Sequence, residues 1–209
     1  MKIRTRVVSE GVSVSLCEIA SPIEISDAVV YHGLHHQVEN VRSENRRHEI
    51  ITEGVMIKEL FGAKVSLAHR ESGAPYLVEQ GEESGMNVSI SHCEGLVAVA
   101  HSRDRKVGVD VEVVVSERAV RVQNRVLSDD EIRFAGSSVV LNTLAWTAKE
   151  ALFKLIPETG VDFRADLHLD LSSLDGTENE KTYEATAYGR SYRMLSWFEN
   201  GRCVTVVTD

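Results

Sequence analysis

Residues Lys106–Val115 read KVGVDVEVVV, an alternation that leaves the chain few choices. In a β-strand Val107, Val109, Val111 and Val113 share one face and Asp110 and Glu112 the other, because side chains two apart point the same way. The two acids then stand roughly 7 Å apart at their Cα atoms, close enough to repel. That face meets either solvent or a cation.

The chain is long enough to bury a core around such a strand, as one domain or as two small halves. Hydrophobic residues make up 43% of the 209 and charged residues 26%, which places the chain with folded globular proteins rather than disordered ones. A net charge of −9 argues against a broad cationic surface, and with it general nucleic-acid binding. An anionic small molecule stays open, because a local basic pocket can hold it against the global sign. Cys17, Cys93 and Cys203 are scattered and form no CxxC pair, which reads as free thiols in a reducing compartment. No apolar run approaches the roughly 20 residues a membrane helix needs. The charged opening segment MKIRTRVVSEGVSVSLCEIA reads as no signal peptide. A cytoplasmic protein is expected, with no membrane partner.

VSVSLCEI reads as a strand. Ser21 as N-cap and Pro22 at the first helical position predict a helix running into YHGLHHQ. That helix sets His32 and His36 on one face, as in some zinc pairs, with His35 beside them. No HExxH and no nearby cysteine accompany them, so exposed helix histidines are the better reading. A second helix is expected from Arg46 to Leu60, stopped by Gly62. SGAPYL, with Gly73 and Pro75, reads as a loop. MNVSISHCEGLVAVAHSRDRKVGVDVEVVV reads as strands joined by turns at HCEG and SRDRK. Beyond it, Ser128 and Glu131 form a capping-box signature. VVLNTLAWTAKEALFKLI is the strongest helix, closed by Pro157. ADLHLDL, TYEATAY, YRMLSWF and CVTVVT alternate as strands, with Asn200-Gly201 as the last hairpin turn. The pattern gives a mixed α+β fold, and no residue-level repeat links its halves.

The strongest helix carries WTAKEALFK, in which Trp146, Glu150 and Lys154 are spaced four apart and share a face. Alone, Glu150 and Lys154 make a common surface pair worth a few tenths of a kcal/mol. Alone, Asp110 and Glu112 make a solvated strand face, and SISH, Ser89 to His92, ends a strand. Together they offer more. Two strand carboxylates and one helix carboxylate supply hard oxygen ligands that suit Mg2+, an ion that keeps positions for substrate phosphates. Beside it Lys149 and Lys154 would neutralise phosphate charge, and Ser91 and His92 would donate hydrogen bonds to phosphate oxygens. This is equipment for phosphoryl-type transfer.

In order, SGAPYL, NVSISH, VGVDVE and WTAKEALFK resemble the motifs of the 4′-phosphopantetheinyl transferases. The length is similar to that of the larger, monomeric, surfactin-synthetase-activating class. The resemblance implies a pseudo-twofold arrangement of two similar halves, residues 1–112 and 113–209, each a small antiparallel sheet packed on a long helix. It implies transfer of the phosphopantetheine arm of coenzyme A to a serine of an apo acyl or peptidyl carrier protein, releasing 3′,5′-ADP. Carried over by position, Asp110, Glu112 and Glu150 are the Mg2+ ligands, and Glu150 is also the general base. Lys154 binds the pyrophosphate and protonates the leaving group. Ser91 and His92 contact phosphate, His92 near the 3′-phosphate and counted with Glu150 and Lys154 in the catalytic set. Lys149 is a further charge, and Trp146 packs without a chemical role. Gly73 and Ala74 meet adenine through their backbone. Many relatives place a lysine where this chain has Ala74, so Arg70, or Arg46 or Arg47 upstream, is expected to replace that cation.

Carrier docking is implied at Arg118, Arg121 and Arg125 in SERAVRVQNRV, a run that a solvated cationic linker explains as well. Two other functions stay open. A Mg2+-dependent phosphohydrolase or nuclease would use the same acids with water as acceptor. A non-catalytic carrier- or coenzyme A-binding module is favoured by Ala74 and opposed by the intact acids and Lys154.

Overall fold

The structure, a computed structural model, describes residues 1–19, 22–114, 117–172 and 179–209. The chain divides into two units, Met1–Asp104 and Arg105–Asp209.

In the first unit, β1 (Ile3–Ser9) and β2 (Val12–Glu18) precede three helices, α1 (Pro22–His32), α2 (His35–Val38) and α3 (Glu44–Phe61). Then come β3 (Val65–His69), β4 (Pro75–Glu79), β5 (Glu82–Glu83), β6 (Asn87–Cys93) and β7 (Leu96–Ser102). One sheet runs β1-β2-β7-β6, and a smaller one runs β3-β4-β5. Met56 and Ile57 of α3 pack with Cys17, Val97 and Val99 of the larger sheet and with Val65 and Leu77 of the smaller. Ile51 and Val55, on another side of the same helix, pack with Ile25, Leu34 and Val38. The Ser43 side chain caps α3 by accepting from the Arg46 backbone N–H.

Two local expectations are corrected here. The helix predicted through YHGLHHQ breaks at Gly33, whose φ of 66° is the left-handed region glycine enters without strain. His32 therefore ends α1 while His35 and His36 begin α2, and the proposed shared face does not exist. His32 lies 3.6 Å from Glu59 and His36 lies 3.8 Å from Glu39. The N-cap expected at Ser21 lies outside the described residues. In SGAPYL the loop ends at Ala74, and Pro75 opens β4, a strand position that needs no backbone donor.

The second unit runs β8 (Val107–Val113), α4 (Arg118–Val126), α5 (Asp129–Ala135), α6 (Val139–Leu155), β9 (Leu167–Leu169), β10 (Glu180–Ala187), β11 (Arg190–Glu199) and β12 (Arg202–Thr208). Its antiparallel sheet has the order β8-β12-β11-β10-β9. β8 pairs along its whole length with β12, from Val107 opposite Thr208 to Val113 opposite Arg202. That pairing ties the entire strand to the C-terminal segment, so the division falls before β8 instead of after Glu112. α6 supplies Leu144, Ala145, Ala148 and Leu152 to a core shared with Met194, Cys203 and Val207 of the sheet. Its small residues allow close approach: a Cβ on Gly108 would stand 2.0 Å from the Ala151 carbonyl oxygen. The capping box of Ser128 and Glu131 forms at α5, and the Asn200-Gly201 turn joins β11 to β12 with positive φ at both residues. SERAVRVQNRV is helical from Arg118, and its Ser116 lies outside the described residues. The α+β class holds, and each unit has an antiparallel sheet and one long helix. Among the described residues no helix is long and apolar enough to cross a membrane.

Candidate active site

β8 is buried from Val107 through Val111, and Asp110 is only 5% exposed. Its acidic face is therefore no solvated strand surface. α6 lies over it, and the helical row Trp146, Glu150, Lys154 supplies the facing groups. Lys154 Nζ donates to Asp110 Oδ1 at 2.7 Å and to the Val109 carbonyl at 3.0 Å. Trp146 Nε1 donates to Glu112 Oε1 at 3.1 Å, which corrects the expectation that this indole only packs. Glu150 sits between these two contacts along the helix.

The acids feel one another. Burial pushes the Glu112 carboxyl above the usual carboxylate range, and the Asp110 charge pushes it further, against the pull of Trp146, Arg118 and Lys154. Glu150 is raised by the same two causes, burial first and Asp110 next, with Lys154 opposing and Glu112 adding. Three carboxylates thus share one field in a partly dry setting.

Among the described residues no group of three or more His, Cys, Asp or Glu side chains is arranged to hold a metal ion. Asp110 is turned to Lys154 and Glu112 to Trp146, so the oxygens do not form a finished cage. Carboxylates are the hard oxygen donors that a divalent cation such as Mg2+ takes. All three groups are carboxylates, and their mutual repulsion is what such a charge offsets.

Lys149 is placed elsewhere. Expected beside the phosphates, it is instead 0% exposed. Its Nζ lies 2.6 Å from Glu131 Oε2 and donates to the Val126 and Phe163 carbonyls at 2.9 Å each. Glu131 in turn accepts from the Ser128 and Leu169 backbone N–H groups at 2.7 and 2.8 Å. All three donors of the ammonium are thereby directed to internal acceptors, as a buried charge requires. Burial pushes Lys149 down from the usual lysine range, and Glu131 opposes that shift.

The 4′-phosphopantetheinyl transferase superfamily model matches residues 106–207. These residues form a 4′-phosphopantetheinyl transferase superfamily domain. The match takes in both acid-bearing elements, β8 and α6, and so includes Asp110, Glu112, Glu150 and Lys154. No curated protein matches the chain.

The first-unit segments that carried the sequence resemblance lie outside the matched stretch, and the structure places them as follows. An Arg46 guanidinium nitrogen donates to Glu49 at 3.0 Å and to Glu53 at 3.3 Å, and it lies 2.8 Å from His92 Nε2. Consecutive residues of a strand point to opposite faces. Accordingly Ser91 is buried while His92 is exposed, and the two side chains do not serve one point together. Arg70 pairs with Glu83, and its guanidinium stacks 4.7 Å over the Tyr76 ring. Gly73 donates its N–H to the Arg70 carbonyl, and Arg70 donates its own to Ala74, closing a tight exposed turn. Glu131, Glu49 and Glu53 escaped the sequence reading as site neighbours. Of these only Glu131 carried a signal, its capping spacing from Ser128.

Proposed function

We propose that the protein moves the 4′-phosphopantetheine arm of coenzyme A onto a serine hydroxyl of an apo acyl or peptidyl carrier protein, releasing 3′,5′-ADP. The observation that carries this reading is the apposition of Asp110 and Glu112 on β8 with Glu150 and Lys154 on α6, inside the stretch that matches the superfamily. Asp110, Glu112 and Glu150 are the residues that would hold Mg2+, which when bound supplies charge neutralisation at the pyrophosphate.

Glu150, raised above an ordinary carboxylate, is a better base near neutral pH, and it takes the serine proton. The serine oxygen bonds to the β-phosphorus of coenzyme A while the bond from that phosphorus to the 3′,5′-ADP oxygen breaks. Lys154, beside Asp110, offers its ammonium proton to the departing oxygen. Trp146 fixes Glu112 through its indole N–H. Arg118, Arg121 and Arg125 are all exposed on α4, spaced three and four apart on one face, and they take the acidic carrier.

Mass spectrometry of a panel of apo carriers incubated with coenzyme A and Mg2+ tests the proposal. One phosphopantetheine gained per carrier supports it. Free phosphopantetheine beside unmodified carriers points to hydrolysis, and coenzyme A bound without turnover points to a binding module.

A further inference from the structure

α4, RAVRVQNRV, has little of its own to hold it. Of its 9 residues only Val126 is buried, and Glu117 supplies no side-chain cap at its start. A helix this short and polar is not stable by itself in water. Its C-terminal end is held from outside. The last carbonyls of a helix lack partners within it and carry the negative end of its dipole, so cations suit them. Lys149 Nζ, on α6, donates to the Val126 carbonyl at 2.9 Å. Arg164, in the turn between α6 and β9, donates through one guanidinium nitrogen to the Asn124 carbonyl at 3.2 Å and to the Leu127 carbonyl. Its other terminal nitrogen donates to Asp129, the first residue of α5, at 2.6 Å.

The turn that presents Arg164 is itself fixed. Asp162 accepts from the Arg164 and Ala165 backbone N–H groups at 2.8 and 3.0 Å, and Asp166 accepts from the Asp162 N–H at 2.8 Å. The Phe163 carbonyl accepts from Lys149 at 2.9 Å. A planar guanidinium suits this corner, because two carbonyls and a carboxylate are met from one point by donors of fixed direction. Lys149 is wholly buried, so replacing it disturbs the unit as a whole. The Arg164 side chain is 35% exposed, and its loss frees the end of α4 without opening the core. An acidic partner that lands on the exposed arginines of a freed helix must order that helix as it binds, and the ordering weakens the complex.

We infer that Arg164 is a positioning residue for the carrier: by holding the C-terminal end of α4, it fixes where Arg118, Arg121 and Arg125 stand relative to the acids of β8 and α6. The inference rests on the proposed docking of the carrier at α4. The side-chain hydrogen bonds of Arg164 run to the corner of α4 and α5, so use of coenzyme A is left untouched by its loss.

Amide hydrogen exchange and steady-state kinetics of the full chain, with an apo carrier that it modifies, test this. Arg164→Gln should speed exchange in α4 about tenfold or more while β8 and α6 keep their rates. It should raise the KM for the carrier about three- to tenfold, with kcat and the KM for coenzyme A unchanged. Arg164→Lys should restore part of both effects. Asp129→Asn, which removes only the charge of an exposed partner, should move neither. Unchanged exchange in α4 of Arg164→Gln overturns the inference, as does a KM that rises equally for carrier and coenzyme A. Faster exchange in α4 with an unmoved carrier KM overturns it too. In those cases a variant with Arg118, Arg121 and Arg125 all replaced by glutamate separates the two readings. If it raises the carrier KM, docking at α4 stands without Arg164; if it does not, docking at α4 falls as well. A chain that modifies no carrier overturns the proposed activity and the inference together.

Discussion

Glu112 and Glu150 are carboxylates that the fold makes reluctant to ionise. A folded-state pKa raised above the unfolded value near 4.3 means that the native chain binds more protons than the unfolded one between those two values. Stability accordingly falls as pH rises through that window and stays lowered above it. Glu150→Gln removes the burden together with the base. Carrier modification should drop by at least about a hundredfold, while the melting midpoint at pH 8 rises. A relief of about 1 kcal/mol moves that midpoint by roughly 2–4 °C in a chain of this size, and the gain should vanish near pH 4. Calorimetric scans across pH check both signs. If the three acids are the Mg2+ ligands, added Mg2+ raises the midpoint of the unsubstituted protein more than that of Asp110→Asn. Equal responses would remove the metal from the proposal.

The joint between β8 and α6 decides whether these side chains meet at all. A methyl group at position 108 collides with the Ala151 carbonyl, a backbone atom that cannot rotate away. Gly108→Ala should cost at least about 3 kcal/mol, seen as a lower urea midpoint. Lys149→Met should cost about 3–5 kcal/mol by leaving Glu131 buried without its cation. Because Lys149 faces the core and not the carboxylates, the KM for coenzyme A should hold in whatever fraction stays folded. A raised KM with unchanged stability would return Lys149 to the phosphates. Much at this scale was legible beforehand. Helical spacing and caps announced α3, α5 and α6, and alternation announced β2 and β6 to β12 but not β1, β3, β4 or β5, because those signals are local. What stayed hidden was the identity of the opposing surface. A period of two says that Asp110 and Glu112 share a face, but not that Trp146 and Lys154 lie across from it. The Lys149–Glu131 pair spans helices whose contact no spacing encodes, and the break at Gly33 turned on one backbone angle.

Across the whole chain, acidic residues outnumber basic ones, 32 to 23. An acidic carrier should therefore be repelled in general and attracted only locally, by the arginines of α4. Replacing Arg118, Arg121 and Arg125 together with glutamate should raise the KM for the carrier by about ten- to a hundredfold, with the KM for coenzyme A unmoved. Added salt should weaken carrier use in the parent protein and much less in the variant. Unchanged carrier kinetics would mean that the α4 arginines are ordinary solvated charges. Strand and helix in the second unit also rest on each other through main chain alone where Gly108 faces Ala151. Such a joint works as a rigid shim: neighbouring interior residues can be resized without altering the gauge between the two elements. A designer could thus recarve much of that interior for new purposes and still find the acids aligned.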